Sequence, residues 1–326
     1  MPRKYLVTGG SGFIGSALVK RLLREGHNVR VLDNNSRGDA RRLEEVLSGI
    51  EFIEGDVRDL STVITASKGI DCICHLAYVN GTEYFYTKPE LVLDVAIRGM
   101  LNIVDACRQE GVLDLVLASS SEVYQSPLMI PTPEDVPLIV PDVANPRYSY
   151  GGGKILCELM ANNYGRIGFE RVTIFRPHNV YGPDMGWEHV IPQFALRAKE
   201  LSETTDDNLV FHIKGDGLQT RSFVYIDDFI SGLMYVIDKG RHLDCYHIGT
   251  SEEVTVGALA KKILDYFGLD AYISTGAAPD GETKRRCPDI TKIQRLGYSP
   301  SISLEDGLVN TIQWYVENAH INPHIT

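Results

Sequence analysis

The chain has 326 residues, 44% of them hydrophobic, and a formal net charge of −11. That is enough apolar material for one large core or two linked ones, and the acidic balance excludes a general attraction to nucleic acid or to anionic membranes. No apolar run approaches the length of a membrane span, and the N-terminus enters a strand-like run with no signal-peptide pattern, so a cytoplasmic protein is expected. The six cysteines form no C-x-x-C pair and the nine histidines show no metal-ligand spacing. Buried thiols in a reducing compartment are expected, and no metal site.

Tyr5-Leu6-Val7 predicts a first strand, Thr8 to Gly15 a glycine-rich turn opening a helix, and Val29 to Leu32 a second strand that ends at Asp33. The glycine spacing is G-x-x-G-x-x-G. Gly9 allows the tight turn, Gly12 lets a pyrophosphate approach the backbone, and Gly15 lets the helix pack closely on the strand. The N–H groups at the helix start, around Phe13 and Ile14, favour an anion. Asp33 is placed to accept hydrogen bonds from an adenosine ribose and to repel a 2′-phosphate, which selects NAD over NADP. Arg37 nearby opposes this preference.

Further apolar runs at Glu51 to Ile53, Asp71 to Leu76, Leu115 to Ala118 and Arg171 to Phe175 alternate with helix-period segments near Leu91 to Arg108 and Tyr150 to Arg166. That alternation predicts a doubly wound, Rossmann-type parallel α/β sheet with helices on both faces. Asp56 and Val57 follow the third strand, where an adenine ring would lie or where a turn merely caps a helix. After Pro177 loops rich in Gly, Pro and Asp separate short elements, predicting a smaller C-terminal α/β substrate-binding lobe. The expected division is 1–176 for the dinucleotide domain, with 223–250 returning to it, and 177–222 with 251–326 for the lobe. Phe223 to Asp238 and Cys245 to Phe267 are both expected to rejoin the main sheet.

Three Tyr-x-x-x-Lys pairs place a phenol and an ammonium on one helix face: Tyr84/Lys88, Tyr150/Lys154 and Tyr235/Lys239. Pro89 disfavours helical geometry at Lys88, and Tyr235/Lys239 closes an apolar helix where both have structural roles. Tyr150/Lys154 follows a strand ending in Ser119-Ser120-Ser121-Glu122, and strand C-termini are where such sheets hold ligands. A nearby ammonium and a cationic nicotinamide ring would both favour tyrosinate, making Tyr150 a general base.

In these motifs, and in His75-Leu76-Ala77, Arg176 to Pro183 and Gln219 to Phe223, the chain resembles the extended short-chain dehydrogenase/reductase family, specifically its nucleotide-sugar epimerases and dehydratases. The resemblance covers nearly the whole chain. It implies NAD as cofactor, with Leu76 and Ala77 beside it, a nucleotide-diphosphate sugar as substrate, and a homodimer formed through the helices near Leu91 to Arg108 and Tyr150 to Arg166. It makes Ser120 the hydroxyl that bonds the sugar, Tyr150 the base, and Lys154 the group that holds the nicotinamide ribose. Asn179, Arg221 and Arg286 match positions that hold the diphosphate or nucleotide, with Arg285 as the alternative to Arg286.

The leading expectation is an epimerase acting through a 4-keto sugar. The alternative is a 4,6-dehydratase or uronate decarboxylase, because Ser120-Ser121-Glu122 is similar to the Thr-Ser-Glu of GDP-mannose 4,6-dehydratases and UDP-glucuronate decarboxylases, and Glu122 could serve as a base. A remote alternative is an NAD-sensing regulator without catalysis. Ser121, His178 and His189 are further candidates around the sugar, with Glu188 as a possible acid and Trp187 as a stacking surface. Four positions depart from the family pattern: Tyr78 after His75-Leu76-Ala77, Asp94 where an Asn is usual before Gly99, Gln125 in place of Gly after Val-Tyr, and Gly153 in place of Ser before Lys154.

Overall fold

The computed structural model describes residues 1–205, 208–277 and 283–323. The apolar runs form β1 (Lys4–Thr8), β2 (Asn28–Asp33), β3 (Ile50–Glu54), β4 (Cys72–His75), β5 (Asp114–Ala118) and β6 (Arg171–Pro177). Between them lie α1 (Phe13–Arg24), α2 (Leu60–Ser67), α3 (Thr82–Thr87), α4 (Pro89–Glu110) and α5 (Ser149–Tyr164). Then follow β7 (Val180–Tyr181), α6 (Val190–Ser202), β8 (Val210–Ile213), β9 (Thr220–Arg221), β10 (Val224–Tyr225), α7 (Ile226–Lys239) and β11 (Asp244–Ile248). The chain continues through β12 (Val254–Thr255), α8 (Val256–Tyr266), β13 (Tyr272–Thr275), β14 (Arg285–Arg286), α9 (Thr291–Gln294) and α10 (Leu304–Glu317).

The central sheet has seven strands in the order β11-β6-β5-β4-β1-β2-β3, and every neighbouring pair is parallel. Parallel strands need helical crossovers, which cover both faces, so the strands are apolar on both sides. In β1, Tyr5 and Val7 point into the core beneath α1 and α7, while Leu6 points into the one beneath α2, α4 and α5. The order reverses between β1 and β4, and the crevice at their C-terminal ends is where a ligand binds in this architecture.

Local chemistry sets the element ends. Asp59 caps α2 by accepting from Ser61 N, and Ser303 caps α10 by accepting from Asp306 N. α4 begins at Pro89 and ends at Gly111 in the left-handed region, φ 71°. As Pro89 predicts, α3 stops at Thr87 and Lys88 leaves the helix with φ −143°.

The segment 245–267 behaves differently from its sequence expectation. β11 pairs with β6, but α8 packs on α6 and α10. Its apolar stripe, Leu259, Ala260, Ile263 and Leu264, is buried away from the sheet. Beyond β6 the chain forms the short sheets β7/β10, β9/β12/β14 and β8/β13, and Val180 of β7 and Arg286 of β14 line the crevice. Among the described residues no helix is long and apolar enough to cross a membrane.

Candidate active site

The crevice is a cavity of about 540 Å³. Gly9, Gly12, Phe13, Ile14 and Gly15 line one end of it, with Asp33, Asp56, Val57, Leu76 and Ala77. Gly9 has φ 72°, and a Cβ there would lie 2.7 Å from Ala77 N. A Cβ at Gly15 would collide with the Gly9 carbonyl oxygen, so close packing of α1 on the turn requires this glycine. α1 has no side-chain cap at Gly12 and no acidic residue in its first turn. Its unpaired N–H groups therefore face the cavity as an anion site, which fits the pyrophosphate of a dinucleotide. Asp33 accepts from Ser11 N and Asn35 N, both at 2.9 Å, which fixes its carboxylate at the tip of β2. Arg37 turns away from it: the guanidinium lies 4.6 Å over the Tyr84 ring and 3.6 Å from Glu188. Asp56 is held below the usual carboxylate range by Arg58.

At the other end of the cavity stand Ser120, Ser121, Glu122, Tyr150, Lys154, Asn179 and Arg286. Tyr150 and Lys154 project from the first turns of α5. The Tyr150 ring stacks on Phe85, 4.8 Å between centroids at 28°, and meets Tyr78 edge-on at 5.1 Å. Burial pushes its phenol up to about 12, a rise that the hydrogen bond with Ser120 partly offsets. Burial therefore opposes ionisation of Tyr150 in the free protein, and the Lys154 ammonium, 6.0 Å from its ring, does not overcome it. Lys154 Nζ donates to the Ala118 carbonyl oxygen at 2.7 Å, and burial lowers its ammonium to about 8. Ser120 Oγ accepts from Glu122 N at 3.1 Å, ending β5 in a short helical turn that aims Glu122 across the cavity.

Glu122 meets Arg286, Nη1 to Oε1 2.5 Å. Burial raises the Glu122 carboxyl, but the Arg286 guanidinium, with Arg147 and Arg221 further out, outweighs it and holds the group below the usual carboxylate range. Arg286 also donates to Thr283 Oγ1 at 3.1 Å. Its neighbour Arg285 points out of β14 and pairs with Glu253 at 2.6 Å. Adjacent strand residues face opposite ways, so Arg286 is the arginine that reaches the site.

Other predicted residues are distributed around this centre. Asn179 lines the cavity at φ 39° and donates to the Ser222 carbonyl oxygen at 3.1 Å. His189 lines it too, kept neutral by burial. His178 and Arg221 do not line it. His178 is buried behind the wall with its ring 4.6 Å from that of His247, while Arg221 bonds the Thr220 carbonyl oxygen. Trp187 packs against Trp314 and Tyr315 as an anchor. Asp94 faces outward and pairs with Arg58 and Arg98, while Asn102, which the sequence did not single out, bonds the Val57 carbonyl oxygen at 2.8 Å.

Two further contacts shape the site. Glu158 lies one turn beyond Lys154 on the same face of α5; it accepts from Nε and Nη2 of Arg176 and from the Ser119 hydroxyl. Through Ser119 this buried pair is tied to the end of β5. Arg42 donates to the Ser11 carbonyl oxygen and to Asp184, tying the cofactor end of the cavity to the loop after β7. Among the described residues no group of three His, Cys, Asp or Glu side chains could hold a metal ion.

Three buried histidines set the acid stability. His75 and His247 are lowered to about 3, and His178 well below its ordinary value, in each case first by burial, with Lys154 beside His75, Arg176 beside His247, and His247, Arg286 and Arg176 beside His178 adding to it. Their folded pKa values lie below the unfolded value of 6.5, so the unfolded chain binds more protons as pH falls. The stability they contribute is complete above the unfolded value and is lost as pH falls toward 3. Lowering the pH from about 7 to about 5 should therefore destabilise the fold through these three groups. Calorimetry at the two pH values should show Tm falling by several degrees; an unchanged Tm contradicts the assignment of neutral histidines.

The sequence profile of the NAD dependent epimerase/dehydratase family matches residues 5–249. A UDP-N-acetyl-alpha-D-glucosaminuronate decarboxylase from Bacillus cytotoxicus is 32% identical over 97% of this chain and 99% of its own. Among solved structures, a dTDP-glucose 4,6-dehydratase from Streptomyces venezuelae, crystallised with NAD, is 31% identical with a TM-score of 0.85, covering 97% of this chain and 98% of that one. A UDP-glucose 4-epimerase from Thermotoga maritima is 28% identical with a TM-score of 0.85, covering 97% and 99%. With its glycine turn, its Tyr-Lys pair at the end of a Rossmann-type sheet and these matches along nearly its whole length, the chain belongs to the NAD dependent epimerase/dehydratase family of enzymes and uses NAD.

Proposed function

We propose that the protein is a nucleotide-sugar uronate decarboxylase acting through a 4-keto intermediate. The observation that carries this reading is the Glu122–Arg286 pair, an ionised carboxylate and a guanidinium facing the same cavity as Ser120 and Tyr150. A 4-epimerase has to turn its keto sugar over, and a charged pair at this place is costly to desolvate around a rotating ring. A 4,6-dehydratase also needs an acid for the departing C6 hydroxyl, and Ser121 beside Glu122 supplies none. The similarity to a uronate decarboxylase along the whole chain supports the same choice.

Bound NAD supplies reversible hydride acceptance at C4. Ser120 orients the 4-hydroxyl and Tyr150 accepts its proton. Arg286 suits a second carboxylate, because its planar guanidinium binds one bidentately. When the substrate C6 carboxylate takes that position, Glu122 loses its cation and gains a like-charged neighbour, so its pKa rises and it takes up a proton. In the keto sugar the C6 carboxylate is β to the C4 carbonyl. The C5–C6 bond breaks, CO₂ leaves, and the electron pair moves onto the C4 oxygen, where Tyr150 and Ser120 stabilise the enolate. Glu122 then returns its proton to C5, and the C4 ketone is reduced again.

Nucleotide uronates should be turned over with kcat/KM at least about a hundredfold above the matching hexoses. Comparable rates on UDP-glucose and UDP-glucuronate would refute the assignment. We assign residues 177–222 and 251–326 to substrate binding, and the protein to the reducing cytoplasm, in keeping with its six free thiols. We also propose a homodimer through α4 and α5, since Leu156, Leu159 and Tyr164 leave apolar surface exposed on α5. Sedimentation at assay concentration should give twice the chain mass; a single-chain mass there contradicts it.

A further inference from the structure

The first half of α5 contains Gly151-Gly152-Gly153, a run that weakens a helix by about 1 kcal/mol per residue relative to alanine. Two of these glycines face side chains at positions where the chain departs from its family pattern. A Cβ at Gly151 would lie 2.6 Å from Gln125 Nε2, and one at Gly153 would overlap the Tyr78 hydroxyl and come within 3.1 Å of Ala96 Cβ. A Cβ at Gly152 would meet only Val140, at an ordinary 3.5 Å.

Tyr78 uses the space. Its hydroxyl donates to the Tyr150 carbonyl oxygen at 3.3 Å, its ring meets the Tyr150 ring edge-on, and the Lys154 ammonium sits 3.8 Å from its ring centroid. Lys154 is 4% exposed and has one hydrogen-bond acceptor, Ala118 O, among the described residues. The other groups facing it are Cys157 and Glu158 on α5, which favour the ammonium, Tyr150, 6.0 Å away, and neutral His75 on β4. Glu158 is already neutralised by Arg176. The electron-rich face of Tyr78 is therefore the closest support the ammonium has beyond one carbonyl.

We propose that Tyr78 is the positioning residue of the Tyr150–Lys154 pair, its ring face carrying the Lys154 ammonium and its hydroxyl fixing the first turn of α5, with Gly153 present to admit it. This rests on the roles given to Tyr150 and Lys154 above. It assigns Tyr78 a part in holding the charge that the reaction uses, without contact to the reacting atoms.

The test is a set of variants read in the NAD-free protein and in the loaded enzyme. In the NAD-free protein, Gly152→Ala should raise Tm through helix propensity, whereas Gly153→Ala should lower it. Combined with Tyr78→Phe, which removes the obstructing oxygen, Gly153→Ala should become neutral or stabilising. In the loaded enzyme Tyr78→Leu should move the alkaline limb of kcat/KM about one pH unit lower, because an ammonium without its ring face loses its proton earlier. NAD affinity should fall over the same pH range. Tyr78→Phe, which keeps the ring, should leave that limb within about 0.3 units. An unshifted limb in folded Tyr78→Leu, or Gly153→Ala lowering Tm equally in both backgrounds, overturns the proposal. If Tyr150→Phe retains full activity, the catalytic assignment itself falls, and the Tm cycle still reports on the Tyr78–Gly153 fit.

Discussion

Tyr150→Phe is expected to lower kcat by roughly a thousandfold or more while NAD affinity and Tm stay close to those of the parent. The ring is held by stacking on Phe85 and by the edge of Tyr78, neither of which needs the phenol oxygen. The substitution therefore removes one proton acceptor and one enolate-stabilising hydroxyl from an otherwise intact wall. In the free protein burial keeps that phenol up to about 12, so it is protonated at neutral pH. The reaction should accordingly speed up with rising pH until Lys154 deprotonates, and Tyr150→Phe should flatten the rising limb. Steady-state rates across pH check both points, and a kcat within tenfold of the parent would remove Tyr150 from the mechanism.

Glu122→Gln and Arg286→Ala should each cut turnover of a nucleotide uronate by about a hundredfold to a thousandfold, for different reasons. Glu122→Gln keeps the shape and the substrate carboxylate site but cannot shuttle a proton, so the loss should fall on kcat. Arg286→Ala removes the guanidinium that binds the carboxylate, so KM should rise as well. Because the two side chains form one pair, the double variant should lose much less than the sum of the single losses. Fully additive losses would mean that the contact between them has no part in turnover.

The local motifs were readable because their chemistry is local. Gly9, Gly12, Gly15 and Asp33 lie in one strand-turn-helix-strand unit, and the backbone contacts at Gly9 and Gly15 are those their spacing implies. Tyr150/Lys154 could be separated from the two similar pairs because Pro89 breaks the helix at Lys88 and because Lys239 closes α7, bonding the Leu296 carbonyl oxygen. Long-range partnerships were not readable. Glu122 and Arg286 are 164 residues apart, and which of two adjacent arginines turns inward depends on how β14 sits beside β9. His178 follows a well-marked Arg-Pro pair yet points behind the cavity, because the backbone after β6 directs Asn179 into it instead. The departures at Tyr78, Gln125 and Gly153 were visible as anomalies, but only their packing shows that they belong together.

The most direct test incubates the NAD-loaded protein with UDP-glucuronate and UDP-N-acetylglucosaminuronate in D₂O and reads the nucleotide-sugar products by liquid chromatography and mass spectrometry. The account predicts a product lighter by CO₂ and carrying one solvent deuterium at C5. An isomer that keeps its carboxylate would contradict decarboxylation and restore the epimerase reading.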